Sequence, residues 1–401
     1  MDLTGLGITF TVMDLETFIT AAGEGRTALS LGVLYGMLSC DVATDFHRKP
    51  LTLTTNVTMG DQVELRLMPH RIELLVNGEL RDEEWPAGNI LLTLESRVMA
   101  GMPIATFACK PDSAEPAAVT GSFRYQPGWH PEENVFVGDC MPYVDDGRYH
   151  VLYLKDRRHH KSKWGLGAHQ WAHVSTADFV TFDTHPMAVE ITDPAEGSIC
   201  TGSWIKSADT HFLFYTIRMA DGSPAPIRRS VSANGYHFRQ DETFSFTLSD
   251  KYDGPSARDP KIIRDANGLY HMLLTTSLSA ENRGCLAHLT SPDLTTWAEE
   301  PEPLYISDDA TQPECPDYIE YGGRYYLIFS LHGKAHYRFS DRPFDGWVTP
   351  DDDVIPCHSV PKGSVWDGKL IFAGFRSEKG YAGSLEFRTA VANADGTLSF
   401  E

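Results

Sequence analysis

The chain has 401 residues, 42% hydrophobic and 22% charged, an ordinary balance for a globular protein with material for two or three domains. Its 34 Lys and Arg against 55 Asp and Glu leave a net charge of −21. That excess argues against nucleic acid and anionic membranes as partners, since both need a basic face. The N-terminus shows no basic-then-apolar leader, no apolar run reaches membrane-spanning length, and the seven scattered cysteines form no CxxC pair. These features suggest a cytoplasmic protein with reduced thiols, no metal and no cofactor; a removed leader stays open.

Residues 1–125 read as a β-sandwich-like domain, with a decorated propeller edge as the alternative. Leu15 to Ala22 is the one stretch with helical character. Gln62 to Leu67 and Arg71 to Val76 alternate polar and apolar residues as a half-buried hairpin does, and Asn77-Gly78 supplies a tight turn. Pro127, Gly128 and Pro131 mark a junction.

Residues 126–401 repeat loosely. Asp146-Gly147-Arg148-Tyr149, Asn267-Gly268-Leu269-Tyr270 and Gly322-Gly323-Arg324-Tyr325 each place a glycine turn before an aromatic, apolar run of strand length. A weaker copy runs from Ala208 to Tyr215, with its turn near Asp209, and a fifth from Trp366 to Ala373, with its turn near Asp367. A second signature, strand then polar turn then aromatic, runs from His173 to Phe182 and again from His288 to Trp297. The spacing of about 45–63 residues suits four short strands per unit, so five units predict a five-bladed β-propeller.

Inner strands of a propeller converge on its axis, so acids at their starts meet although distant in sequence. Asp139, Asp259 and Glu314 each precede a repeat. Glycosidic cleavage needs such a set: one acid to protonate the leaving oxygen, one carboxylate to attack the anomeric carbon or activate water, and a third to hold ring hydroxyls. A lone Asp-Pro or Glu-Cys is most often a plain turn residue; three in one repeat point to chemistry.

Arg258-Asp259-Pro260 and Glu314-Cys315-Pro316-Asp317 resemble the RDP and EC motifs of glycoside hydrolase family 32, the β-fructosidases. Trp171-Ala172-His173-Val174-Ser175-Thr176-Ala177-Asp178-Phe179 resembles that family's WGHA-x-S-x-DL motif, and Thr201-Gly202-Ser203 its SGS. The resemblance covers residues 136–376. It implies a retaining enzyme on a five-bladed propeller with an added β-sandwich, with no metal requirement. By it Asp139 is similar to the nucleophile, Asp259 to the transition-state stabiliser and Glu314 to the general acid/base.

Three departures mark a divergent branch. Asp139 stands in Val137-Gly138-Asp139-Cys140-Met141 instead of WMNDPNG, Leu154 replaces a glutamine, and the sandwich precedes the propeller rather than following it. The basic, aromatic segment from Asp156 to Trp171 suits a carboxylate, a phosphate or several hydroxyls; a solvated loop is the plain alternative. Arg258, Ser203, Asp156, Arg157, Trp164, His169, Trp171 and Trp366 form the expected substrate-binding set. The leading expectation is an exo-acting furanosidase of an oligosaccharide or glycoside. Inverting action on arabinofuranosides or xylosides, as in family 43, glycosyl transfer, and a non-catalytic sugar-binding propeller stay open.

Overall fold

The computed structural model describes all residues except 1–3, 14–17, 24–25, 70, 94–95, 111–114, 132–133, 158–167, 194 and 358. The chain divides into two compact units: residues 1–115 with 160–168 and 191–198, and residues 116–159 with 169–190 and 199–401.

The first unit is a sandwich of two five-stranded antiparallel sheets. One runs Ile104–Cys109, Gly5–Thr11, Gln62–Met68, Arg71–Val76, Glu79–Glu84; the other Leu51–Asn56, Met37–Val42, Arg26–Leu34, Phe18–Gly23, Val98–Ala100. The period-two pattern decides which faces meet. Leu6, Ile8, Val63, Leu65, Ile72 and Leu74 of one sheet share a single core with Leu29, Leu31, Leu38, Cys40 and Leu53 of the other. Asn77 and Gly78 both adopt positive φ, 53° and 80°, matching the twist of the strands they join. Phe18–Gly23 is a strand rather than the helix expected across residues 15–22. Its apolar Ile19 and Ala21 recur every second residue and are buried against the other sheet.

The second unit holds five antiparallel blades. Their inner strands are Val135–Asp145, Glu196–Ser207, Arg258–Arg264, Glu314–Tyr321 and Lys362–Trp366. Each turns at a predicted place: Asp146-Gly147, Ala208-Asp209, Asn267-Gly268, Gly322-Gly323 and Asp367-Gly368. Blades pack face on face, so their middle strands are apolar on both sides. Tyr270–Leu278 is buried throughout, and Arg148–Arg157 nearly so. Gly121–Arg124 forms the outermost strand of the first blade, against Thr181–Thr184. A backbone bridge, Val137 to Gly383, extends the first blade's sheet into the fifth. Among the described residues no helix is long and apolar enough to cross a membrane, and no two cysteines are joined by a disulfide.

Candidate active site

Three inner strands slip register with their neighbours where the sequence carries an acid. The slips fall between Val137 and Cys140, between Arg258 and Lys261, and between Glu314 and Asp317. A bulge of this kind frees backbone from the ladder and re-aims side chains. Glu314 is the last paired residue before its slip, Asp259 the first looped residue and Asp139 the second. The acids therefore use one repeated device at three offsets rather than matching positions. Asp259 and Cys315 share the same offset and both take left-handed backbones, φ 60° and 52°, a conformation costing roughly 1–2 kcal/mol for a residue with a Cβ. Ser203, buried on the second blade, fixes the Asp259 bulge: its hydroxyl donates to the Pro260 carbonyl and accepts the Ile262 N–H, each at 2.9 Å.

Thr201 and Cys315 join the two aspartates. The Thr201 hydroxyl donates to Asp259 Oδ1 at 2.6 Å and lies 3.5 Å from Asp139 Oδ2. Cys315 Sγ stands 3.4 Å from Asp139 Oδ2 and 3.6 Å from Asp259 Oδ2, while its backbone N–H donates to Asp259 Oδ2 at 3.0 Å. Burial and the two carboxylates push the Cys315 thiol well up, so it stays a neutral spacer. On the other side of Asp139, the Tyr381 hydroxyl donates to Oδ1 at 2.8 Å and accepts the Asp139 N–H at 3.3 Å. Gly138 makes room for this contact, since a Cβ there would stand 2.7 Å from the Tyr381 oxygen.

The electrostatics separate the three acids. Burial works to raise Asp259, but Arg258, the Thr201 hydroxyl, Lys362 and the Cys315 N–H outweigh it and hold the carboxyl below its usual range. Arg258 lies between two acids, 3.6 Å from Asp259 Oδ2 and 3.0 Å from Glu314 Oε1. The Glu314 side chain keeps 42% of its surface open, against 3% for Asp259. Further along the strands a charged layer crosses the axis: Lys261 pairs with Asp317 at 2.5 Å, and buried Lys362 donates to the Gly202 carbonyl at 2.9 Å. Beyond it a cavity of about 490 Å³ is lined by Tyr143, Trp204 and Glu320 among others, and by none of the three acids.

The remaining expected binding residues scatter. Asp156 and His169 form a buried pair, Oδ1 to Nε2 at 2.8 Å, with the His169 ring 5.3 Å from that of Tyr381. Arg157 is buried at the end of its strand. Trp171 is fully buried, its ring edge-on to Tyr215 and its Nε1 donating to the Cys200 carbonyl at 2.9 Å, so its faces belong to the core. Trp366 ends the fifth inner strand at the turn side, bonded to the Gly147 carbonyl at 3.0 Å, opposite the end that carries the acids. Trp164 and most of the basic loop lie outside the described residues.

Residues 134–350, just over half of the chain and all three acids, match the model of the glycosyl hydrolases family 32 N-terminal domain. The chain belongs to glycosyl hydrolase family 32. It is similar to the sucrose-6-phosphate hydrolase of Vibrio alginolyticus, 25% identical over 45% of this chain and 36% of that protein. It is likewise similar to the sucrose-6-phosphate hydrolase of Escherichia coli, 26% identical over 51% and 43%. The chain thus spans well under half the length of these relatives. Among solved structures, fructan 1-exohydrolase IIa from Cichorium intybus in complex with 1-kestose aligns with TM-score 0.56 at 18% identity, over 72% of this chain and 61% of that one. The Bombyx mori β-fructofuranosidase BmSUC1 gives 0.54 at 20%, over 69% and 66%. These likenesses establish the propeller fold.

Two residues that contact the aspartates escaped the sequence reading. Thr201 was visible only as the start of Thr201-Gly202-Ser203; its bridging role needs the second blade's geometry. Tyr381 lies in the turn between Lys369–Ser377 and Gly383–Ala392 of the fifth blade, 242 residues from the carboxylate it holds, and no local pattern marks it.

Proposed function

We propose that this chain hydrolyses a terminal β-fructofuranoside with retention of configuration. Asp139 attacks the anomeric carbon, Glu314 protonates the leaving oxygen and then activates water, and Asp259 with Arg258 holds the sugar. The observation that carries the reading is the division of environments among three converging acids. A buried carboxylate kept ionised by four partners suits stabilising a cationic transition state and is poorly suited to proton transfer. An acid with 42% of its side chain open exchanges protons with solvent each cycle. The Tyr381 hydroxyl orients the attacking carboxylate through Oδ1, and Oδ2 faces the Thr201–Cys315 side. Leu154, whose backbone flanks Gly138, offers no hydrogen bond where a glutamine would, so the sugar is held by fewer polar contacts on that side.

The test is a substrate panel with the purified chain: sucrose, sucrose 6-phosphate and 1-kestose beside aryl α-L-arabinofuranoside and β-D-xyloside. The reading predicts fructose release from the first group. It also predicts a loss of kcat of about 10²–10⁴-fold in Glu314→Gln. Cleavage confined to the second group, or unchanged turnover in that variant, overturns it. Longer products on adding acceptor sugars would assign the same site to transfer.

A further inference from the structure

Three imidazoles meet on one face of the first blade, apart from the carboxylates. His150 belongs to Arg148–Arg157, His173 to Gln170–Thr176, and His185 follows Thr181–Thr184. His150 pairs with Ser175 and His173 with Leu152, which makes the two rings diagonal neighbours on one face. The His185 N–H donates to the His173 carbonyl at 3.0 Å, bringing the third ring alongside. One nitrogen from each ring can be chosen so that all three lie within 4.8 Å of one another. The residues are 3%, 1% and 8% exposed.

The hydrogen bonds of His185 present a lone pair inward. His185 Nδ1 lies 2.6 Å from the Ala118 carbonyl; a carbonyl only accepts, so Nδ1 carries the proton and Nε2 offers its lone pair. Fixing a ring through its outer nitrogen is how histidine ligands are held in metal sites. His150 meets the Asp145 carbonyl, and its Nδ1 stands 2.9 Å from His173 Nε2. His173 Nε2 also meets the Tyr143 hydroxyl at 3.3 Å, while His173 Nδ1 is buried with no hydrogen-bond partner. The cation nearby, Arg148, is neutralised by Asp183 at 2.6 Å.

The third blade supplies an internal comparison. His271 and His288 stand at the same register and the same 2.9 Å spacing. Where His185 would be stands Glu300, whose N–H donates to the His288 carbonyl at 2.8 Å and whose carboxylate accepts the Thr290 hydroxyl at 2.9 Å. The histidine pair is thus part of the repeat. The third imidazole is what the first blade adds.

We propose that His150, His173 and His185 bind one divalent transition-metal ion of the Zn²⁺ class, where the sequence reading expected none. Three neutral imidazoles select such ions over Mg²⁺ or Ca²⁺. Ser175 Oγ, 2.8 Å from His185 Nε2, or a water supplies the fourth ligand. The ion would tie three strands of the blade that carries Asp139, a structural role separate from the carboxylate chemistry.

The untagged full chain, stripped by chelation, is titrated with Zn²⁺ by calorimetry and with Co²⁺ by visible absorption. Expected are one equivalent of Zn²⁺ bound with Kd below about 1 µM, strong tetrahedral Co²⁺ bands and a higher Tm with metal. His185→Gln should weaken Zn²⁺ binding at least ~100-fold and remove the bands, while His288→Gln changes neither. Absence of Co²⁺ bands in the wild-type chain overturns the proposal however the variants fold. Equal uptake by His185→Gln overturns it as well.

Discussion

Tyr381→Phe removes one hydroxyl and leaves the ring's packing on Phe375, 5.3 Å away at 70°, in place. It deletes the 2.8 Å bond to Asp139 Oδ1 and the acceptor for the Asp139 N–H. Asp139 is buried and Tyr381 half-buried, so water replaces the lost partner only in part. A hydrogen bond to a charged acceptor contributes about 1.5–3 kcal/mol, which converts to roughly 10–150-fold in kcat/KM if the carboxylate acts only when ionised and correctly turned. Steady-state kinetics on a β-fructofuranoside, with Tm measured in parallel, read the effect. A variant with kcat/KM within twofold of wild type would refute the role assigned to Tyr381.

Other consequences follow from packing and burial. Burial lowers His288 to about 4 and also lowers His271. The unfolded chain takes up these protons near pH 6.5 and the folded chain does not, so stability is unaffected above 6.5, falls as pH drops below it, and levels off for His288 below about 4. At pH 5 the His288 share is about 2 kcal/mol; urea midpoints for wild type and His288→Gln should diverge between pH 6.5 and 4, and parallel curves would contradict this. Trp171→Ala should cost about 3–5 kcal/mol in urea unfolding, because the ring is core. Trp366→Ala, at the turn end, should leave KM unchanged, and a raised KM would place it at the sugar. A Cβ at Gly202 would stand 1.9 Å from the Phe214 carbonyl oxygen. Gly202→Ala should therefore lose about 3 kcal/mol or more, and a wild-type Tm would refute that clash.

The blade repeat was legible because its signal is local: a tight turn, carrying glycine in four of the five copies, precedes an aromatic or apolar strand, and the turns fell at the expected residues. The acids were legible for the same reason, since Arg258-Asp259-Pro260 and Glu314-Cys315-Pro316 are contiguous. What sequence spacing concealed is how they converge, through bulges at three different offsets. Contacts across blades were invisible as well. Tyr381 to Asp139, Ser203 to Pro260 and Lys362 to Gly202 join residues between 57 and 242 positions apart, and each needs the closed arrangement of strands to be seen. Trp171 misled because an aromatic beside a polar loop reads as a sugar platform, whereas face-to-face packing of blades buries it. The helical reading near residue 18 failed because a short apolar stretch has too few turns to separate period two from period 3.6.

Trapping the covalent intermediate tests the central claim most directly. Glu314→Gln incubated with an activated aryl β-fructofuranoside retains the attacking carboxylate and lacks the base that would release the sugar. Intact-mass and peptide mass spectrometry should find one hexosyl group esterified to the peptide carrying Asp139, and none in the Asp139→Asn, Glu314→Gln double variant. An unmodified Asp139 peptide, with product appearing directly as the inverted anomer by NMR, would contradict the account.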